Sequence, residues 1–303
     1  MWTDTRYADN RGVQLAYDQL EDNGSGTPLL LVMGLATART WWPDGLCRAF
    51  ADAGFSVARY DQRDAGQSTR MPPTARSNPL AALFGKPPEQ VAYTSEDMTD
   101  DAIAVMGELG WKRAYIFGHS MGGLVAQRIA LRYPDRVLGV VSSAALPSDV
   151  TGISVARYLR VGLLAKLART KFPEGREGDI EAGMAVARGV ASPGYPFDEQ
   201  RTRAWISADA DIGPRDNQAQ SRQIGATWHG PALRELRAPT LVLHGEQDQL
   251  LRPSAAARTA RTVDGARLRV FPGVGHDIPE ALWRTYAEEV RALAADGVTH
   301  RHV

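Results

Sequence analysis

An α/β chain with a mostly parallel, doubly wound sheet and a helical insertion is the fold class that this sequence predicts. Three observations carry it. Short apolar runs recur along the 303 residues, helical patterns lie between them, and one stretch of about 85 residues breaks the alternation. Residues 13–17 alternate as a half-buried strand does, after the turn at 9–12. The runs at 29–32, 56–60, 114–117, 137–141, 240–243 and 268–271 read as strands buried on both faces, as in a parallel sheet covered by helices. Helical patterns fill 43–53, 95–109, 121–133, 253–263 and 279–295.

Two segments depart from that order. Residues 69–93 form a long connection carrying Pro72, Pro73, Pro79, Pro87 and Pro88, and loops of that length usually have a function of their own. Residues 147–231 read as helical, at 153–170, 179–190, 198–208 and 217–227, with no strand signal. The predicted organisation is a core of 1–146 and 232–303 with 147–231 as a helical cap or lid.

Composition excludes several function classes. Apolar residues make up 44% and charged residues 23%, which is ordinary for a globular chain. Thirty-five basic and thirty-five acidic residues cancel, so no global field favours nucleic acid or an acidic membrane. The single cysteine, Cys47, excludes an intrachain disulfide and a multi-cysteine metal cluster, and its helical setting reads as a buried structural thiol. The longest apolar run is far short of the ~20 residues that span a bilayer. The first residues carry neither a basic region nor an apolar one. A cytoplasmic protein without nucleic-acid or membrane partners is the expectation.

Gly118-His119-Ser120-Met121-Gly122 carries the chemistry. It follows the strand at 114–117 and opens the helix at 121–133. A serine on so sharp a strand-to-helix turn adopts a strained backbone and projects its Oγ above the sheet, with the helix N-terminus behind it. A plain Gly-Ser turn is the structural alternative, and the order strand, turn, helix argues against it. A serine hydroxyl needs a base. Of the six histidines, His300 and His302 lie in the terminal tail, His119 on the turn itself, His229 in the insertion and His244 at a strand end. His276 lies in a glycine-rich turn after the strand at 268–271, on the carboxyl edge that Ser120 also occupies. Asp248 follows the strand at 240–243 on that edge and is the acid that would orient the imidazole. Glu246 is the next choice. Asp277 stands beside the base, directed away along the loop. A turn or helix-cap aspartate is the structural alternative for Asp248.

The order Ser120, Asp248, His276 resembles that of the α/β hydrolases, and the resemblance spans almost the whole chain. Met33-Gly34-Leu35 resembles the family's oxyanion turn, with Met33 where a His is frequent. The resemblance implies the backbone amides of Leu35 and Met121 as oxyanion donors. Residues 61–68, Asp-Gln-Arg-Asp-Ala-Gly-Gln-Ser, resemble the family's D-x-R-G-x-G-x-S turn with Asp64 in place of the first glycine, and read as structural. The Met-Gly turn, the tryptophan after it and this variant turn are together similar to actinomycete methylesterases of anthracycline antibiotic biosynthesis, of the aclacinomycin methylesterase type. That likeness implies a methyl ester on an aromatic polyketide. Trp41 and Trp42 after the oxyanion turn, and Trp205 and Trp228 in the insertion, are candidates to line a flat apolar pocket, with ordinary core packing as the alternative.

The reading is a serine hydrolase of a small-molecule carboxylic ester, working through an acyl-enzyme with no metal or organic cofactor. Lactonases, carbon–carbon bond hydrolases and cofactor-free perhydrolases share the same three residues, and a ligand receptor shares the fold.

Overall fold

The computed structural model describes residues 1–21, 25–72, 92–212 and 217–299. Most of the 69–93 connection, and His300 and His302, lie outside the described residues.

Eight strands form one sheet in the order β1-β2-β4-β3-β5-β6-β7-β8. β1 (Arg6–Asn10) and β2 (Val13–Gln19) make a hairpin, where the residue pattern alone predicts a turn at 9–12 followed by a single strand. Arg11 and Gly12 both have positive φ, 54° and 86°, as a two-residue hairpin turn with the twist of its strands requires. β2 runs antiparallel to β4 (Phe55–Tyr60). From there β3 (Thr27–Val32), β5 (Ala114–His119), β6 (Val137–Ser143), β7 (Thr240–Gly245) and β8 (Arg267–Phe271) are all parallel. Every residue of β4 and β7 is buried, which explains their unbroken apolar reading. β8 corrects the expectation of burial on both faces. It is an edge strand, and Leu268 and Val270 remain 40% and 38% exposed.

Helices cover both faces. α1 (Asp44–Asp52) and α9 (Trp283–Thr299) pack on one side with Phe50, Phe117 and Tyr286. α2 (Ser95–Glu108) and α3 (Met121–Arg132) pack on the other with Val105, Ile116 and Ile129. Thr94 caps α2 in a reciprocal box with Asp97. Cys47 is buried in α1, and burial pushes its thiol up to about 12. α8 (Pro253–Thr262) starts on a proline, which has no amide proton to leave unpaired there.

Between β6 and β7 lie α4 (Val161–Arg169), α5 (Arg176–Val190), α6 (Glu199–Ala210) and α7 (Asn217–Gly225). The single helix expected over 153–170 is two pieces. A 3-10 helix, Gly152–Arg157, ends where Tyr158 and Arg160 exchange backbone hydrogen bonds with Arg252 and Leu250. Those bonds pull the chain into extended conformation and override its helical periodicity. Among the described residues no helix is long and apolar enough to cross a membrane.

Candidate active site

Ser120 stands alone between the end of β5 and the start of α3, with φ 55° and ψ −124°. A side chain there is strained by roughly 1–3 kcal/mol, and the surroundings hold it. The Ser120 amide donates to the Ser143 carbonyl at 2.8 Å, extending the β5–β6 ladder, while the Ser120 carbonyl accepts from Gly123 at 3.0 Å. The two flanking glycines have no room for a Cβ. One on Gly118 would lie 2.0 Å from the Gly122 oxygen, and one on Gly122 would lie 2.0 Å from the Val32 oxygen. The turn exists because strand, helix and β3 cross at backbone contact.

His276 and Asp248 come to Ser120 from loops after β8 and β7. The Ser120 hydroxyl donates to His276 Nε2 at 2.9 Å, and His276 Nδ1–H donates to Asp248 Oδ2 at 2.7 Å. Asp248 is fully buried and His276 is 5% exposed. Asp248 Oδ1 accepts the amides of Leu250 and Leu251 at 2.7 and 2.8 Å. Burial opposes ionisation of Asp248, but the neighbouring imidazole and the Leu251 amide outweigh it and hold its carboxyl below the ordinary value. Glu246, the alternative acid, is exposed. Asp277 accepts from the Ser192 hydroxyl, while the imidazole Nδ1–H donates to Asp248.

Two further histidines flank this line. His119 lies with its ring centre 5.2 Å from that of His276, and its Nδ1 is 3.1 Å from Ser143 Oγ. Burial, then the proximity of His276, lowers its pKa to about 3, so it stays neutral. His244 at the end of β7 is buried and held below its ordinary value by burial, with Nε2 3.3 Å from the Leu251 carbonyl. His229 is exposed and sits near Glu96.

The turn after β3 faces Ser120. A Cβ on Gly34 would lie 3.3 Å from Ser120 Cβ. Leu35 lines the cavity, and Met121 is the first residue of α3. Gln62 Nε2 donates to the Met33 carbonyl at 2.7 Å. The Ala36 amide, at φ 49°, donates to Gln223 Oε1 at 2.7 Å. Gln223 belongs to α7 and its Nε2 also donates to the Arg63 carbonyl at 2.8 Å. Sequence reading missed Gln62 and Gln223, because no local pattern marks a side chain whose partner is a distant backbone group.

The cavity over Ser120 and His276 has a volume of about 1930 Å3. That exceeds the usual range of roughly 300–1,000 Å3 for small-molecule pockets. Leu163, Leu164, Ala182 and Val186, from α4 and α5, form an aliphatic wall. Trp41 and Trp205 form the aromatic part, with ring centres 4.8 Å apart. Both indoles are fixed, Trp41 Nε1 donating to Asp209 Oδ2 at 2.8 Å and Trp205 Nε1 to the Thr40 carbonyl at 2.6 Å. Trp42 also borders the cavity but is 1% exposed, its ring set edge-on against Phe117 in the core. Trp228 is a correction. It is absent from the cavity wall and packs beside the α2–α3 layer, 5.4 Å from the Arg128 guanidinium. The chain has already turned back toward the core there, and Trp228 Nε1 donates to the Pro231 carbonyl.

The 61–68 turn is a knot of buried polar contacts. Asp61 accepts from the backbone and side chain of Arg39, Arg63 pairs with both oxygens of Asp101, and Ser68 Oγ bridges the Asp61 carbonyl and the Ala16 amide.

A sequence model of the alpha/beta hydrolase fold matches residues 27–280. The chain is 27% identical over 309 residues to the rhodomycin D methylesterase of Streptomyces peucetius, covering 95% of this chain and 97% of that protein. It is 26% identical over 285 residues to the rhodomycin D methylesterase of Streptomyces sp. strain C5, covering 88% and 90%. Among solved structures it shares its fold with the meta-cleavage product hydrolase of Pseudomonas fluorescens IP01, with a TM-score of 0.69, 21% identity and 98% of both chains covered.

Proposed function

This chain belongs to the α/β-hydrolase fold family, and on that premise we propose that it is a cytoplasmic serine hydrolase cleaving a carboxylic ester. The observation that carries the reading is the unbroken hydrogen-bonded line from the Ser120 hydroxyl through His276 to Asp248. Ser120 acts as nucleophile, His276 as base, and Asp248 as the carboxylate that orients the imidazole.

His276 Nε2 takes the hydroxyl proton as Ser120 Oγ attacks the ester carbonyl. The imidazolium that forms is stabilised by Asp248, whose lowered pKa keeps it ionised. The amides of Leu35 and Met121 receive the oxyanion, and the α3 N-terminus adds its partial positive charge. His276 returns its proton to the leaving alcohol. Water, deprotonated by the same imidazole, then attacks the acyl carbon, and the imidazolium returns that proton to Ser120 Oγ as the acid leaves. The chemistry so written needs no metal or organic cofactor.

We place the specificity in residues 147–231 as a cap over the core. Two methylesterases among the relatives, the large cavity and the Trp41–Trp205 pair favour a methyl ester on a bulky, ring-containing acyl group, as in antibiotic biosynthesis. Burying apolar substrate area contributes ~25 cal/mol per Å2, so a ring system gains several kcal/mol over acetyl.

The test is stopped-flow hydrolysis of activated esters graded from acetyl to polycyclic aroyl. A burst of leaving group, with kcat/KM rising with acyl size, is expected. A flat or falling series would leave a hydrolase of small esters. Binding of ring compounds with neither burst nor turnover would make the protein a ligand receptor.

A further inference from the structure

We propose that Ser192, in the segment between α5 and α6, is a positioning residue for the base. Its hydroxyl staples together the two residues that flank His276. This rests on the reading of His276 as the base.

The Gly275 amide donates to Ser192 Oγ at 2.9 Å, and the same hydroxyl donates its proton to Asp277 Oδ1. Oγ thus closes a ring around the backbone of His276 from outside the loop. Ser192 is 4% exposed, so no bulk water competes for these bonds. Its neighbours add to the contact. The amides of His276 and Asp277 both donate to the Val190 carbonyl, at 3.0 and 3.2 Å, and Gly194 donates to the Gly273 carbonyl at 2.8 Å. Gln249, next to Asp248, donates to the Ala191 carbonyl at 2.9 Å. Residues 190–194 therefore hold the loops of the base and the acid at once.

The base loop depends on this support. Gly273 has φ 71°, and Gly275 is the residue before His276, so the loop is conformationally permissive on its own. Permissive backbone is needed because the two segments meet closely. A Cβ on Gly275 would lie 2.6 Å from the Val190 oxygen, and one on Gly194 would lie 2.8 Å from Gly273 Cα. The staple converts this pliant loop into a fixed mount. The imidazole can reach Asp248 and Ser120 together only while the His276 backbone stays in place.

Ser192 is seated against the loop rather than the reacting atoms, so its loss moves kcat and leaves KM in place. Kinetics on an activated aryl ester are measured for Ser192→Ala, Ser192→Cys and Ser192→Thr, with the low-field proton resonance of His276 Nδ1–H as a second readout. In Ser192→Ala, kcat should fall roughly tenfold or more with KM within about twofold, and the resonance should broaden or vanish. Ser192→Thr keeps the hydroxyl and should keep both signals. Ser192→Cys, close in volume and weak in hydrogen bonding, should fall between them, and it serves if Ser192→Ala does not fold. Wild-type kcat and an unchanged resonance in Ser192→Ala or Ser192→Cys would overturn the staple. A rise in KM with kcat intact would make Ser192 a substrate contact, which also overturns it. An unacylated wild type would sink the esterase reading instead, and the resonance would still report on the staple.

Discussion

Asp64 receives both arms of the Arg222 guanidinium, Nη2 on Oδ1 at 2.7 Å and Nε on Oδ2 at 2.8 Å. Both residues are buried, and they join the 61–68 turn of the core to α7 of the insertion. Tyr93 donates to Oδ2 and the Met71 amide to Oδ1, each at 2.8 Å. Asp64 holds φ 68°, a conformation that suits glycine, and the four hydrogen bonds of its carboxylate offset that strain.

Arg222→Ala should therefore destabilise by about 3–5 kcal/mol, because it leaves a buried carboxylate without its cation. The double variant Arg222→Met, Asp64→Gly removes both charges and relieves the backbone, so it should lose less than Arg222→Ala alone. Urea denaturation measures both. A double variant less stable than the single would show that the ion pair is not what ties turn to helix.

Ser120 yields two separable outcomes. Ser120→Ala should fold normally and lose turnover by roughly a millionfold. A fluorophosphonate probe should label the wild type and not this variant. Ser120→Gly should be equally inactive yet more stable than Ser120→Ala by about 1 kcal/mol, since glycine adopts φ 55° without strain. Persistent labelling of Ser120→Ala would move the nucleophile elsewhere.

For the acid, Asp248→Asn should lower kcat by about ten-thousandfold by favouring the wrong tautomer of His276. Glu246→Gln should leave kcat unchanged, since Glu246 is exposed and Asp248 makes the bond to Nδ1. The reverse pattern would exchange the two carboxylates.

His119 sets a pH dependence of stability. Its folded pKa of about 3 lies below the ~6.5 of an unfolded histidine, so between those values only the unfolded chain binds the proton. Its contribution is complete above about pH 6.5 and is lost as pH falls toward 3. His244 acts in the same direction. His119→Gln should therefore show a smaller drop in urea midpoint between pH 7 and pH 5 than the wild type. Equal drops would mean that His119 is protonated in the folded state.

Much of the site was legible because its parts are local. A strained serine turn needs glycines two residues away on each side, and those glycines are in the sequence at 118 and 122. Alternating apolar and helical periods located seven of the eight strands: central strands such as β4 and β7 because burial between two helical layers demands unbroken apolar runs, β2 by its alternation, and β8 by an apolar run although it is an exposed edge. The hairpin strand β1 escaped notice, since Arg6–Asn10 is polar and mostly exposed. The break at Tyr158–Arg160 escaped too, because its cause is pairing with Leu250 and Arg252 rather than its own residues. The place of Trp228 in the insertion suggests a cavity position, and only the path of the chain puts it beside Arg128.

By itself, then, the sequence determined the strand–turn–helix that exposes Ser120, the glycine loop of His276 and the aspartate after β7. Each depends on backbone propensity and burial within a few residues. Tertiary structure decided which side chains support them. Gln223 reaches the Ala36 amide across 187 positions, and Ser192 reaches Asp277 across 85. Such partners leave no periodic trace, because one hydrogen bond fixes a distance in space and places no constraint on the residues between.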